Sequence, residues 1–254
     1  MYQDMLPSTY MHIPSVGRTT EKRIWASGIR TWYEFIEQEH EAPVSAGKRK
    51  TIMEGIEHSI CCLDSGDSEF FARSLPGSEH WRAFHSFSDS VAYVDIETTG
   101  LSPEHSCITV IGIYDGKDAR AYVRGDNIEE VADELSKYRY LVTFNGSRFD
   151  LPFIKKEFPE IEFDQLHLDL MYPLKRIGLK GGLKLIEQEL GISRSDETCG
   201  ITGFDAVRLW HEHERGCDGA LDTLLEYNRE DIVNLETIVE MIYPELVRNA
   251  FDGK

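Results

Sequence analysis

The feature that most constrains this chain is a change of hydrophobic period at residue 91. Four short apolar runs begin there: VAYVDIET (91–98), CITVIGIY (107–114), ARAYV (119–123) and YLVTF (140–144). Only the turn residues DGKD separate the second run from the third, which predicts a hairpin. Before the fourth, Asn127 stands where a helix cap would, and Ile128, Val131 and Leu135 recur at helical spacing to about Tyr138. Such a helical crossover returns the fourth strand parallel to the first. Three antiparallel strands, a helix and a further strand predict an α/β domain with a mixed sheet flanked by helices.

The first run carries chemistry as well as shape. Residues two apart on a strand share a face, so Asp95 and Glu97 project together while Val94 and Ile96 turn the other way. Two solvated acids on a surface strand satisfy this pattern. A divalent cation satisfies it too, because carboxylate oxygens suit Mg²⁺ or Mn²⁺ and compensate one another poorly without one.

Further acids occur at two later points. After the fourth run comes NGSRFDLPFI (145–154), where Asn145-Gly146 would ordinarily signal a hairpin. The residues after that pair read as a helix instead: Asp150 in the N-cap position, Pro152 in the first turn, and Phe153, Ile154 and Phe158 along one stripe. Near the end, Leu221, Leu225, Ile232, Leu235 and Val239 form a helical stripe, with Tyr227 and Asp231 one turn apart at its edge.

Composition limits the classes of partner. The chain has 27 Lys and Arg against 45 Asp and Glu, a formal charge of −18, which argues against a broad basic surface for nucleic acid. The N-terminal 50 residues are near balance, so the excess acid lies further along. Five cysteines without CxxC or zinc-like spacing fit a reduced compartment. No secretory start and no membrane-length apolar run is visible, so a soluble, cytoplasmic protein without membrane contact is expected. His211 and His213, two apart on a helix, point to different faces and do not read as a metal site.

Residues 1–62 read as a small domain of short helices, and residues 63–89, with Phe70, Phe71, Trp81 and Phe84, as a connector packed on the next domain over 90–250. Within the helical part, Val16-Gly17 predicts a tight turn, Thr19 or Thr20 a helix cap, and Gly28 a helix end. Residues 12–35 thereby resemble the helix-hairpin-helix elements of DNA-repair proteins. That resemblance implies phosphate contacts from the turn at Gly17, with Arg18 and Lys22 adding local charge, while a plain helical packing module fits the same residues. The GKRK run at 47–50 suggests a second, weaker hairpin or a solvated helix face.

Taken as a set, Asp95-Ile-Glu97, the segment 145–150 and Tyr227-x-x-x-Asp231 resemble the three motifs of the DEDD 3′–5′ exonuclease superfamily. The variety is the tyrosine-bearing one, on a ribonuclease H-like fold, and the resemblance spans about residues 90–245. With its aromatic connector and helical region, the chain is similar to a group of predicted exonucleases, some of which carry histidine in place of Tyr227. The resemblance implies a metal-dependent exonuclease acting on single-stranded DNA or RNA ends. Asp95, Glu97, Asp150 and Asp231 would hold two divalent cations, Mg²⁺ or Mn²⁺, and Tyr227 would assist the attacking water. Thr98, Thr99, Gly100 and Leu101 would seat the terminal nucleotide, with Asn145 and Phe149 as further substrate contacts. Lys175, Arg176, Lys180 and Lys184 could guide its backbone or form a solvated face. Two other readings share the fold: a non-catalytic nucleic-acid-binding or scaffold protein, and a structure-specific endonuclease.

Overall fold

A computed structural model describes residues 4–252. Its contacts divide the chain into two compact units: residues 1–89 with 164–168 and 243–254, and residues 90–163 with 169–242. Residues 63–89 therefore cluster with the helices that precede them.

The first unit is helical. A 3-10 turn (Leu6–Ser8) is followed by α1 (Arg18–Ala26), α2 (Trp32–Glu37), the twenty-residue α3 (Ala46–Ser65), α4 (Ser68–Ser74) and the short α5 (Phe84–Phe87). Thr31 and Glu34 form a reciprocal capping box at the start of α2. The N-cap of α1 is Gly17 rather than Thr19 or Thr20, which lie inside the helix. Gly28, at φ +97°, follows the end of α1 as expected. Ahead of Gly17 the chain runs through turns and the 3-10 segment, so no pair of α-helices flanks that glycine. The GKRK run opens α3 instead of a second hairpin.

Charge is managed internally here. Glu21 is fully buried and accepts hydrogen bonds from Thr9 Oγ1 (3.0 Å), the Tyr10 amide (2.8 Å) and Arg82 Nη1 (2.9 Å). Arg82 Nε lies 2.8 Å from Glu79 Oε2, and Glu79 Oε1 takes Arg18 Nη2 at 2.5 Å. Arg18, half-exposed, thus has a buried carboxylate as its partner. Phe71, Trp81 and Phe84 are buried, while Phe70 is half-buried.

The second unit carries the sheet. Strand β1 (Val91–Thr98) pairs antiparallel with β2 (Ile108–Tyr114), which pairs antiparallel with β3 (Ala119–Val123). After α6 (Val131–Leu135), β4 (Tyr140–Thr143) joins β1 in parallel. The helix α7 (Asp150–Glu157) and β5 (Leu166–Asp169) complete a sheet of order β3-β2-β1-β4-β5. Then come α8 (Met171–Arg176), α9 (Leu183–Leu190), α10 (Gly203–Glu214) and the long α11 (Ala220–Asp252). A helical N-terminal region followed by a mixed sheet flanked by helices is the architecture expected. Two local readings change. Asn127 takes the N-cap position of a 3-10 turn (Ile128–Glu130) that leads into α6, but its side chain makes no cap hydrogen bond there; it accepts the Val123 amide at 2.7 Å and donates to the Ala121 carbonyl, fastening the end of β3. On α11 the fully buried stripe runs through Leu224, Ile232, Leu235, Ile238 and Val239, with Leu221 and Leu225 only partly covered.

The buried Glu21–Arg82–Glu79 chain gives a direct stability test. Arg82→Met removes the guanidinium, leaving the buried Glu21 carboxylate without a cation and Glu79 with Arg18 as its remaining one, which should cost about 3–5 kcal/mol. Urea unfolding of the variant checks this, and a loss below about 1 kcal/mol would contradict it.

Candidate metal centre

The site is built where β1 outruns its parallel neighbour. Pairing with β4 covers only Val91 to Tyr93, whereas pairing with β2 continues to Thr98. Beyond Tyr93 the β4-facing edge of β1 is open, and there the Ile96 amide donates to Asp150 Oδ1 at 3.2 Å. Asp150 is the first residue of α7. The expected N-cap position belongs to Phe149. The carboxylate reaches between Asp95 and Glu97 instead, which is a different use of the same helix start.

Both ends of α7 are fixed. Phe153 and Ile154 pack with Ala92, Val94 and Ile96 of β1. At the C-terminal end, Glu157 Oε2 accepts the Ile108 amide at 3.0 Å while Oε1 pairs with Arg124. The loop before α7 hangs on Asp169, whose two oxygens accept the Asn145 amide (2.8 Å) and the Ser147 amide (3.1 Å). Asn145 holds a left-handed conformation, φ +64°, which Asn tolerates better than most residues.

Helix α11 delivers the remaining groups, and its seating depends on a missing side chain. Asp95 lies opposite Gly112 in the β1–β2 register. A Cβ at Gly112 would collide with Asn228 Oδ1. Through that gap the buried Asn228 approaches the sheet and donates to the Asp95 carbonyl (3.3 Å) and to Asp95 Oδ2 (3.0 Å). One turn later Asp231 arrives, and single carboxylate oxygens of Asp95, Glu97 and Asp231 lie within 4.8 Å of one another. All are hard oxygen donors, two from one strand face and one from a facing helix, so the group fits a divalent cation of the Mg²⁺ or Mn²⁺ kind.

Electrostatics follow from this crowding. Burial, then Asp231, Asp150 and Glu97, push Asp95 well above the usual carboxylate range, and burial and Asp231 do the same to Glu97. Burial raises Asp150 to about 7. Asp231 rises to about 6, burial outweighing the opposing Arg194. Tyr227 is buried beside these acids and its phenol is pushed far above its ordinary value, by burial first and then by Asp231. The Arg194 guanidinium carbon lies 5.5 Å and Lys184 Nζ 4.2 Å from the centre of the Tyr227 ring.

Of the residues expected to seat a nucleotide, Thr98 ends β1 and Thr99, Gly100 and Leu101 follow it. Thr98 Oγ1 donates to the Gly100 carbonyl at 2.6 Å, and Thr99 exchanges backbone and side-chain hydrogen bonds with Cys107. Leu101 stands 87% exposed. Phe149 is partly buried and its ring packs on Phe153, 4.8 Å between centroids. Of the expected basic cluster, Lys175, Arg176 and Lys180 are exposed, while Lys184 turns inward. His211 pairs with Glu214 and His213 packs on Trp210.

Sequence reading missed Asn228, Asp169 and Arg194. A signal existed for the first: Gly112 interrupts an otherwise apolar strand directly opposite Asp95, as a close approach demands. Asp169 and Arg194 belong to no motif and reveal themselves only through their partners.

A family model of the RNase_H superfamily, RNase_H_2, matches residues 92–243. The chain belongs to this superfamily. Among solved structures, the family B DNA polymerase of the archaeon Pyrobaculum calidifontis is similar at 16% identity and a TM-score of 0.52, over 63% of this chain. This chain spans 25% of that polymerase, and the likeness is one of fold. Brucella melitensis NrnC bound to pGG matches at 20% identity and TM-score 0.47, covering 66% of this chain and 78% of NrnC. No curated protein sequence matches significantly. Superfamily, fold and acidic cluster together are consistent with a hydrolytic nuclease. Among the described residues no helix is long and apolar enough to cross a membrane.

The raised carboxyls fix the sign of a pH effect. A folded-state pKa above the unfolded value stabilises the fold fully below the unfolded pKa, near ~4 for Asp, and that stability is lost as pH rises through the folded value. With Asp231 at about 6 and Asp150 at about 7, the loss falls between pH 4 and somewhat above 7. Thermal melts in chelator should therefore fall from pH 5 to 8, and Asp150→Asn should flatten the slope. A flat or rising wild-type profile would contradict the assignment. Separately, Gly112→Ala should expel Asn228 and lower stability by about 1–3 kcal/mol, measurable by denaturant unfolding.

Proposed function

We propose that the chain is a metal-dependent 3′–5′ exonuclease that hydrolyses phosphodiester bonds at single-stranded DNA or RNA ends by a two-metal mechanism using Mg²⁺ or Mn²⁺. The observation that supports it most is the gathering of Asp95, Glu97 and Asp231 within 4.8 Å, with Asp150 fixed beside them through the Ile96 amide. These four acids would hold the ions. Bound divalent cations supply activation of water and stabilisation of the leaving 3′ oxygen.

The protein's own groups divide the remaining tasks. Asn228 fixes the Asp95 carboxylate, and Ile96 fixes that of Asp150. Tyr227, held protonated by burial, serves as a hydrogen-bonding group that orients the attacking water rather than as the base that deprotonates it. Leu101, exposed at the end of the loop that follows Glu97, offers an apolar contact for the terminal base. Thr98, Thr99 and Gly100 give that loop its shape through the bonds to Cys107 and within the turn. Asn145 is a positioning residue for the loop before Asp150, and Phe149 contributes mainly to the core. Gly17 and Lys22 would play no part in catalysis.

The test uses end-labelled single-stranded DNA and RNA with Mn²⁺. A ladder shortened from the 3′ end is expected, abolished by chelator and reduced at least about a hundredfold in Asp95→Asn and Asp231→Asn. Tyr227→Phe should retain more activity than either. Cleavage of a circular substrate would indicate an endonuclease, and no cleavage of any substrate a binding or scaffold role.

A further inference from the structure

The loop between α9 and α10 places a cation directly on the acidic cluster. Arg194 donates through Nε to Glu187 Oε2 and through Nη2 to Glu187 Oε1, each at 2.7 Å, and the same Nη2 also reaches Asp231 Oδ1. The side chains of Arg194, Glu187 and Asp231 are 7%, 2% and 7% exposed. Glu187 is further held by Asn234 Nδ2 at 2.9 Å. The loop itself is clamped to α11, because Glu230 accepts the Ser195 amide at 2.8 Å and the Thr198 hydroxyl.

These bonds are unequal in what they require. The bidentate pairing with Glu187 satisfies the guanidinium fork and anchors it in the fold whether or not Asp231 takes part. The bond to Asp231 is an addition made by one nitrogen already in use. A guanidinium keeps its charge at any working pH, so the cluster always has this cation beside it. A divalent ion held by Asp95, Glu97 and Asp231 meets a fixed positive charge already bonded to one of its ligands.

We propose that Arg194 is a built-in counter-cation of the acidic cluster, sharing the Asp231 carboxylate with a divalent ion held there, so that it sets how tightly the metal is held. The inference rests on the reading of Asp95, Glu97 and Asp231 as a metal site. Binding would loosen the Asp231 bond while Glu187 retains the arginine. Arg194 Nη1, which makes no hydrogen bond and lies 4.0 Å from Glu230 Oε2, remains a spare donor in either state. Arg194 is thus a positioning residue, acting through Asp231.

The experiment is a Mn²⁺ titration of the full chain, without substrate, read by the paramagnetic resonance of free Mn²⁺. Arg194→Gln should bind Mn²⁺ at least about tenfold more tightly than wild type, since it removes a like charge a few ångströms from the ion. Because that variant leaves Glu187 buried without its arginine, the double variant Glu187→Gln, Arg194→Gln is compared with Glu187→Gln alone, a pair that differs only in the charge at residue 194, and the same tightening is expected from the single to the double variant. Equal or weaker Mn²⁺ affinity in the double variant than in Glu187→Gln, with native-like circular dichroism spectra, would overturn the proposal and leave Arg194 as a holder of Asp231 geometry. Failure of wild type and variants alike to bind Mn²⁺ would overturn the metal-site reading itself, and this inference with it.

Discussion

The mutual repulsion of carboxylates brought together out of water is the constraint on which this structure turns. Asp95, Glu97, Asp150 and Asp231 are each held above the usual carboxylate range, by burial first and, for Asp95, Glu97 and Asp150, by one another as well. A fold that minimised its own free energy would not gather them. It tolerates them because three carry an individual restraint: the Asn228 amide on Asp95, the Ile96 backbone on Asp150 and the Arg194 guanidinium on Asp231. Each restraint comes from a different element, so the sheet edge, α7, α11 and the α9–α10 loop are all committed to one small volume.

A similar economy of charge governs the helical unit by other means. Its buried acids are matched by arginines within the unit, Arg82 between Glu21 and Glu79, and Arg18 on Glu79. Arg82, buried between them, serves stability. Combined with a formal charge of −18, this leaves the chain poorly equipped to hold nucleic acid by long-range attraction. An enzyme of this composition would depend on bound cations and short-range contacts for its substrate.

Much of this was legible in the sequence, for identifiable reasons. The strands from residue 91 announced themselves by period and turn chemistry, and Asp95 and Glu97 by their spacing on one of them. Asp150 was legible as a helix start but not in its use, because reaching Ile96 depends on β4 ending before β1 does. The seat for Asn228 required the register that puts Gly112 opposite Asp95, and register is a tertiary fact. Arg194 was hidden for the same reason, since its partners Glu187 and Asp231 are brought to it by two separate helices. In the helical unit, the glycine turn suggested a hairpin that the chain does not form, because the segment ahead of Gly17 folds into turns.

Whether the acidic cluster holds a cation is tested most directly by anomalous diffraction from crystals soaked in Mn²⁺. The expected result is a peak enclosed by the carboxylates of Asp95, Glu97 and Asp231, absent from crystals of Asp231→Asn soaked in the same way. A peak elsewhere, or none at the cluster when the metal is plainly present in the crystal, would contradict a cation site there.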